Sequence, residues 1–208
     1  MKFTITIFTA LFVFFDAFPQ IPVDLMGGHK ATEFSFFWFE DVDAKKKVEL
    51  FNFTFFSVDY QDQSQNEYEI YQAVTYKLNR NWGFSGVGRF AFNEFMPQIA
   101  VAYQLFNGNF FFAAYPYLQY SGVQDIWSQG AFGFVFWNPK LNEKWKWFHM
   151  LLFETNVDKR GHQYSFQQLR LGVESPQGIQ FGLGATLGQK GAIWDFTNNL
   201  GLFIRKEL

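Results

Sequence analysis

The feature that most constrains this chain is a strict alternation of large apolar side chains with small or polar ones. In residues 98–106 the large apolar series is Ile99, Val101, Tyr103 and Leu105, and the small or polar series is Gln98, Ala100, Ala102 and Gln104. Segments 66–79 and 178–188 repeat the pattern. Because successive side chains of a β-strand point to opposite faces, each segment is predicted to be a strand with one large apolar face.

Segments of this kind recur along the chain, and short stretches rich in Asn, Asp, Gly and Pro separate them. Eleven are predicted as strands: 31–41, 48–60, 66–79, 82–93, 98–106, 109–121, 127–138, 144–156, 162–175, 178–188 and 196–206. The Asn107-Gly108 pair is the strongest hairpin signal, since a type I′ turn needs positive φ at both central positions. The predicted fold class is all-β, an up-and-down antiparallel meander.

Composition indicates which face points outward. Aromatic residues make up 23% of the chain and charged residues 17%, yet the mean hydropathy is −0.10. A soluble barrel packs large apolar side chains inside, whereas a membrane barrel turns them to lipid and keeps small or polar ones inside. Large side chains from so many strands would overfill a small barrel, so we predict a transmembrane β-barrel of the outer membrane, surrounded by outer-membrane lipid. The net charge of −2 gives no basic footprint for nucleic acid.

The strand count is constrained by the even numbers found in single-chain bacterial barrels. We expect 12 strands, with residues 3–15 as the additional one, or 10 if one of the eleven segments is not a separate strand. Tryptophans near predicted strand ends are expected to form an interfacial girdle. They are Trp82, Trp127, Trp137, Trp145 and Trp194.

Residues 1–28 allow two interpretations, and the barrel domain is assigned to residues 29–208. One lysine, an apolar stretch over 3–15 and a short polar exit are typical of a secretory signal. The alternation over 3–7 predicts instead a first β-strand followed by a connection. The sequence leaves both interpretations open.

Charged residues of both signs fall on the predicted inner face, because charge on the lipid side is costly at mid-membrane. They are Glu33, Glu67, Glu69, Lys77, Arg89, Glu154, Arg170 and Glu174. Glu69, Arg89, Glu154 and Arg170 are the candidates for a constriction. The charges fit two roles, a lumen that selects solutes or a salt-bridge network that fills a closed barrel.

Three tyrosines are candidates for stacking on a planar solute in the lumen: Tyr71, Tyr115 and Tyr117. A girdle or packing role is the alternative for Tyr115 and Tyr117. Pro116 lies between these two and cannot donate to a ladder, so it predicts a bulge or a strand end.

Metal and catalytic chemistry find little support in the sequence. His29, His149 and His162 are far apart and lack the spacing of metal ligands, so no metal and no cofactor are expected. A lipid-modifying enzyme would use His162 with Ser165 and Glu174. Because His162 and Ser165 are an odd number of residues apart, a regular strand places them on opposite faces. We therefore predict that the protein is not an enzyme.

Three consecutive segments carry a resemblance to a known family. The stretches "FTFFSVDYQ" at 53–61, "EYEIYQAVTYKL" at 67–78 and "GFSGVGRF" at 83–90 resemble, in rhythm and aromatic content, the Tsx-like group of outer-membrane proteins. This group includes nucleoside channels of Gram-negative bacteria and uncharacterised relatives, some from Bacteroidota. The resemblance implies a narrow barrel of about 12 strands with an aromatic and charged lumen that passes nucleosides.

Three functions follow as hypotheses. The first is a narrow passive channel for small polar solutes, nucleoside-like by the resemblance. The second is a closed barrel that serves as a structural or accessory subunit beside other outer-membrane proteins. The third is a lipid-modifying enzyme. A channel requires a continuous lumen, an accessory barrel a blocked one, and an enzyme a serine, a histidine and a carboxylate that converge at the membrane boundary.

Overall fold

The computed structural model describes residues 21–191, 193 and 195–207, and in them twelve strands close into one antiparallel barrel. Each strand pairs with its neighbours in sequence, and β1 pairs with β12 to close the ring. The strands are β1 Pro22–Gly28, β2 Ala31–Asp41, β3 Val48–Asp59, β4 Glu67–Lys77, β5 Trp82–Ala91, β6 Glu94–Asn107, β7 Phe110–Ser121, β8 Ile126–Trp137, β9 Lys146–Asp158, β10 Gly161–Glu174, β11 Ile179–Lys190 and β12 Asp195–Glu207. The predicted all-β, up-and-down barrel of 12 strands is confirmed.

Helical structure is minimal. A short 3₁₀ turn, Gln63–Gln65, lies in the connection between β3 and β4. The described residues include no helix of the length and apolarity needed to span a membrane.

The strand that completes the barrel is β1, which lies within the N-terminal segment where the sequence allowed a first strand. It begins at Pro22, after the alternating residues 3–7 that suggested such a strand, so the barrel starts earlier than the predicted boundary at residue 29. Asp24 and Met26 point into the barrel, whereas Leu25 is exposed on the outer wall. Residues 1–20 lie outside the described residues, and the choice between a signal and a strand at 3–15 stays a prediction.

The outer wall carries the large apolar series that the sequence assigned to lipid. Ile99, Leu183 and Leu202 are exposed by 61%, 66% and 67%, while their strand neighbours Ala100 and Gln180 are buried in the barrel. Large apolar side chains outside and small or polar ones inside are the reverse of the arrangement in a soluble protein, and this is the arrangement that a bilayer requires.

The interior is less polar than predicted in one half. Phe51, Phe53, Phe132 and Phe134 point inward and are almost fully buried. The expectation that large apolar side chains would be excluded from the interior is therefore wrong for β3 and β8. In the middle of these strands the alternation is reversed, with Asn52 and Thr54 of β3 and Ala131 and Gly133 of β8 on the outer face, so bulk alone assigns the wrong face. A barrel of this size has room for inward rings.

The two ends of the barrel differ in what they carry. The end with the chain termini, called the terminal end, has the turns 42–47, 78–81, 108–109, 138–145 and 175–178, and the opposite, hairpin end has 29–30, 60–66, 92–93, 122–125, 159–160 and 191–194. Trp82, Trp137 and Trp145 lie at the terminal end and Trp127 at the hairpin end. Trp194 lies outside the described residues.

Two turn predictions need correction. Asn107 pairs with Phe110, so the central residues of that hairpin are Gly108 and Asn109, and of these only Gly108 has positive φ, at 58°. Pro116 lies inside β7 and keeps its pairing with β8, rather than ending the strand or forming a bulge. Its missing N–H coincides with a gap in the ladder to β6.

Candidate functional site

The candidate site is the barrel interior, where aromatic rings fill the half nearer the terminal end. This aromatic core consists of Phe37, Phe39, Phe51, Phe53, Tyr71, Tyr115, Phe132, Phe134 and Phe136. Strands β3 and β8 lie on opposite sides of the ring, yet Phe51 reaches Phe134 with 5.6 Å between ring centroids. Tyr71 stacks on Phe132 at 4.6 Å and 18°. Such separations are those of contacting rings, so side chains from different parts of the wall meet within the lumen at this height.

A first ion cluster joins β4, β5, β7 and β9 within the barrel. The Arg89 guanidinium donates through Nε to Glu69 Oε1 at 2.8 Å and through Nη2 to Glu154 Oε2 at 3.1 Å. The Tyr117 hydroxyl donates to Glu154 Oε1 at 2.8 Å. Arg89 and Glu154 are almost fully buried, and the Tyr164 ring of β10 faces the guanidinium at 5.6 Å. The cluster therefore spans the lumen from wall to wall.

A second ion cluster lies around Arg170, which is fully buried. Its guanidinium donates to Asp24 Oδ1 at 3.1 Å and to Glu33 Oε2 at 3.3 Å. Glu33 also accepts from Thr186 Oγ1 at 2.6 Å and from Asn199 Nδ2 at 2.8 Å. Two carboxylates and neighbouring polar side chains thus compensate one buried cation.

A third arginine, Arg205, is held mainly by rings. Its guanidinium carbon lies 5.1 Å from the centroids of Phe37 and Phe148 and 5.4 Å from that of Phe136. It donates through Nη1 to Gln180 Oε1 at 2.6 Å. Cation–π contact is the interaction expected when a guanidinium is desolvated against aromatic faces.

The remaining predicted charges lie near the rims. Lys77 pairs with Asp41 and Glu49, both at 2.7 Å, at the terminal end. Glu174 pairs with Lys146 at 2.7 Å at the same end. At the hairpin end, Glu67 pairs with Lys190.

The structure places all the predicted charges on the inner face but does not join them into one ring. Glu69, Arg89 and Glu154 meet, whereas Arg170 belongs to the separate cluster with Glu33. Of the three tyrosines, Tyr71 and Tyr115 belong to the aromatic core, and Tyr117 serves the Arg89 cluster.

Among the buried interior charges, sequence reasoning missed three: Asp24, Glu49 and Arg205. Asp24 lies in a segment that was not counted as a strand. Glu49 and Arg205 lie on predicted strands, an even number of residues from other inward-facing positions. The alternation of the two faces therefore predicts that both point inward.

Two pockets open at the hairpin end. One pocket of about 220 Å³ reaches inward to Glu33 between β2, β3 and β12, and another of about 240 Å³ reaches to Arg89 between β5 and β10. Their walls carry Ser57, Gln119, Asn156 and similar polar side chains. The half of the interior nearer the hairpin end thus forms a polar vestibule, lined also by rings such as Phe55 and Tyr164, that ends on the two ion clusters.

The pair that was expected on opposite faces of β10 in fact shares a face. His162 Nε2 lies 2.8 Å from Ser165 Oγ. The register of β10 against β9 shifts between His162 and Tyr164, so one extra residue intervenes. A β-bulge of this kind reverses the parity of the residues that follow, which is why the odd-spacing argument is wrong. Glu174 is at the other end of the strand and does not join them.

Comparisons with known proteins show similarity only in the fold. No family model matches the chain, and no curated protein is similar to it. Among solved structures, a bacterial polysaccharide outer membrane secretin gives a TM-score of 0.42 at 10% identity over 92% of this chain and 77% of that chain. OmpT, an outer membrane protein of Vibrio cholerae, gives 0.40 at 9% identity over 91% and 96%.

The NanC porin is the more informative likeness. Its TM-score is 0.53 at 10% identity, and the match covers 90% of this chain and 98% of that chain. Together with the apolar outer wall, this likeness identifies the chain as having the fold of an outer-membrane β-barrel.

Proposed function

We propose that this protein is a closed outer-membrane barrel that serves as a structural or accessory subunit beside other outer-membrane proteins. The observation that carries the proposal is the contact of side chains from opposite walls. Phe51 meets Phe134, and Arg89 bridges Glu69 to Glu154 across the interior. A barrel filled in this way provides a rigid scaffold in the bilayer and does not provide a permanent aqueous path.

A polar patch on the outer wall supports the presence of a partner. Gln72 lies at the middle of β4, is exposed, and faces outward among Ile70 and Val74. Its Oε1 accepts from Asn52 Nδ2 at 3.3 Å. A side-chain amide that faces hydrocarbon without further partners is costly, whereas a neighbouring membrane protein can satisfy its donors. On the adjacent strand, Gly86 leaves open space beside this patch, whereas the Phe95 ring lies against Gly88.

The first test is single-channel recording of the purified, folded protein in a planar bilayer. We expect no conductance steps, with heat-modifiable mobility on gels as the check of folding and a known porin as the positive control. Steady steps that Arg89→Ala alters would contradict the proposal and favour a channel with Arg89 at its constriction.

The second test uses the absence of cysteine from the chain. A single Gln72→Cys variant in native outer membranes should form a cross-link to a neighbouring protein with a short bifunctional reagent. The matched control is Leu183→Cys, which is exposed to lipid on another wall. Equal cross-linking at both positions, or none at Gln72→Cys, would argue against a partner at this patch.

A passive channel for small polar solutes is the second candidate, and the polar vestibule at the hairpin end favours it. Its polar walls and the nearby Tyr164 ring offer both hydrogen bonds and stacking to a nucleoside-like solute. Passage would require the aromatic core to move aside. Conductance that appears only in the presence of such a solute would support this candidate over a closed scaffold.

A further inference from the structure

His162 and Ser165 form a hydrogen-bonded pair at the start of β10, and the surroundings of the imidazole indicate which of its nitrogens carries the proton. His162 Nδ1 lies 3.0 Å from the carbonyl oxygen of Gly191, and Nε2 lies 2.8 Å from Ser165 Oγ. A carbonyl oxygen only accepts, so it favours the proton on Nδ1. The lone pair of Nε2 is then directed at the serine hydroxyl. This is the arrangement of a general base and its nucleophile, with a third group that orients the base.

The pair lies on the outer wall and close to the membrane boundary. In the sheet, Ser165 is opposite Thr155 on β9 and Gln189 on β11, and His162 is opposite Val157. Opposed residues share a face, and Thr155 is exposed on the lipid side. Since β10 begins at Gly161, the pair lies within the first five residues of this strand. This places it at the hairpin end, at the boundary between hydrocarbon and water.

An apolar groove of about 490 Å³ on the same wall extends to Thr155 and Val157, the residues of β9 opposite this pair. It is lined by Phe84, Ile99, Val101, Pro116, Leu118 and Val157. Thr155 lines the groove as well, and its Oγ1 lies 3.0 Å from Ser165 Oγ. The groove faces the bilayer, and its lining is apolar. The ligand that is present there and matches this lining is the acyl chain of a phospholipid.

We propose that Ser165 and His162 cleave the acyl ester of a membrane phospholipid whose chain lies in this groove. Ser165 Oγ forms a bond to the ester carbonyl carbon while His162 Nε2 takes the hydroxyl proton. The bond from that carbon to the glycerol oxygen then breaks, and His162 returns the proton to the departing lysophospholipid. Water from the hairpin end attacks the acyl-serine with His162 again as base, which releases the fatty acid and restores the serine.

Neighbouring side chains have assignable roles in this reaction. Thr155 Oγ1 accepts from the Ser165 hydroxyl at 3.0 Å. Once the serine has given up its proton, the Thr155 hydroxyl is free to turn and donate to the negative oxygen of the tetrahedral intermediate. Ser165 itself is only 4% exposed. The ester therefore approaches over exposed Thr155 and replaces its hydrogen bond to the serine. The site uses only the outer wall, so it does not depend on whether the lumen is closed.

The first readout is covalent labelling of the folded full-length chain by a small fluorophosphonate, which reacts with activated serines. We expect labelling of the unaltered protein, its loss in Ser165→Ala, and a reduction of roughly 100-fold or more in His162→Asn. The matched control is Ser128→Ala, an inward serine on the neighbouring wall that bonds Asn156, which should label normally. A folded protein that does not label, or a Ser165→Ala variant that does, overturns the proposal.

The second readout is fatty-acid release from phosphatidylethanolamine vesicles that contain the protein. Ser165→Ala should abolish release. Ile99→Trp, which fills the groove, should lower release by roughly 10-fold or more while small-probe labelling persists, because remote chain binding contributes to the rate. Labelling without release from vesicles in the unaltered protein would overturn phospholipid as the substrate. Gel mobility shows in each case that the variant is folded.

Discussion

At the scale of single residues, the interior is organised around almost fully buried arginines. Arg170 is fully buried, and its charge is balanced by Asp24 and Glu33. A buried ion pair adds little net stability over an apolar replacement, but removal of one member leaves uncompensated charge. Loss of Arg170 is therefore destabilising chiefly because Asp24 and Glu33 would remain as uncompensated buried carboxylates.

Arg170→Met is expected to lower the free energy of unfolding by about 3–5 kcal/mol, since two carboxylates then lack their cation. Urea unfolding of the barrel in lipid vesicles measures the change. The triple variant Asp24→Asn, Glu33→Gln and Arg170→Met should recover most of the loss. Arg80→Met, in the exposed 78–81 turn, is the control and should change little. An equal loss in the triple variant would show that packing, and not charge, is responsible.

The turn 42–47 contains a carboxylate that holds its own backbone. Asp43 Oδ1 accepts from the backbone N–H of Val48 and of Lys47, both at 2.6 Å. The hydrogen bond from Val48, followed by those from Lys47 and Lys45, lowers the pKa of the Asp43 carboxyl below its ordinary value.

Because the folded-state pKa of Asp43 is the lower one, its stabilising effect is present above the unfolded-state pKa of about 3.9 and is lost as the pH falls through the folded value. Asp43→Asn should therefore unfold at lower urea concentration than the unaltered chain at pH 7. At about pH 2 the two should unfold together. A difference that persists unchanged in acid would show that the side-chain geometry, and not the charge, secures the turn.

At the scale of elements, prediction succeeded where one face of a strand differs strongly from the other. In residues 98–105 of β6 and 179–184 of β11, large apolar side chains alternate with small or polar ones, and the faces follow directly from the sequence. Strand β2 carries rings on both faces and the middle of β8 turns its rings inward, so the direction of Phe37 or Phe132 depends on pairing with neighbours. The bulge after His162 is likewise set by the register against β9. Phe92 and Asn93 form a turn with positive φ, at 54° and 61°. Because neither residue is glycine, the sequence does not indicate this turn.

Close backbone approach between β10 and β11 makes a glycine obligatory there. A Cβ added to Gly182 would lie 2.2 Å from the Leu171 carbonyl oxygen and 2.5 Å from Gly172 Cα. Gly182→Ala is therefore expected to destabilise the barrel by about 1–3 kcal/mol or more, because the strands would have to separate. Gly86→Ala is the control, since no atom lies within 4 Å of its added Cβ. Urea midpoints that shift equally for both variants would contradict this account.

At the scale of the whole molecule, the sequence predicts the strands of the barrel wall better than it predicts the side-chain contacts inside the barrel. Alternation assigns Arg89 and Glu154 to the inner face, but they are far apart in sequence and only closure of the ring brings them together. The same is true of Tyr71 and Phe132, which could equally have lined an open lumen. Strand tilt and register decide which inward side chains meet, and these properties belong to the closed ring.

The closed interior that we propose predicts a sharp difference in chemical accessibility between two inward positions. Ala73 lies beside the aromatic core and is fully buried, whereas Ser57 lines the open vestibule at the hairpin end. Because the chain has no cysteine, Ala73→Cys and Ser57→Cys each introduce a unique thiol. A charged, water-soluble thiol reagent should label Ser57→Cys readily and Ala73→Cys slower by roughly 100-fold or more, since reaching it requires the interior to open. Similar labelling rates at the two positions would mean that water passes the aromatic core, and the barrel would then have to be regarded as a channel.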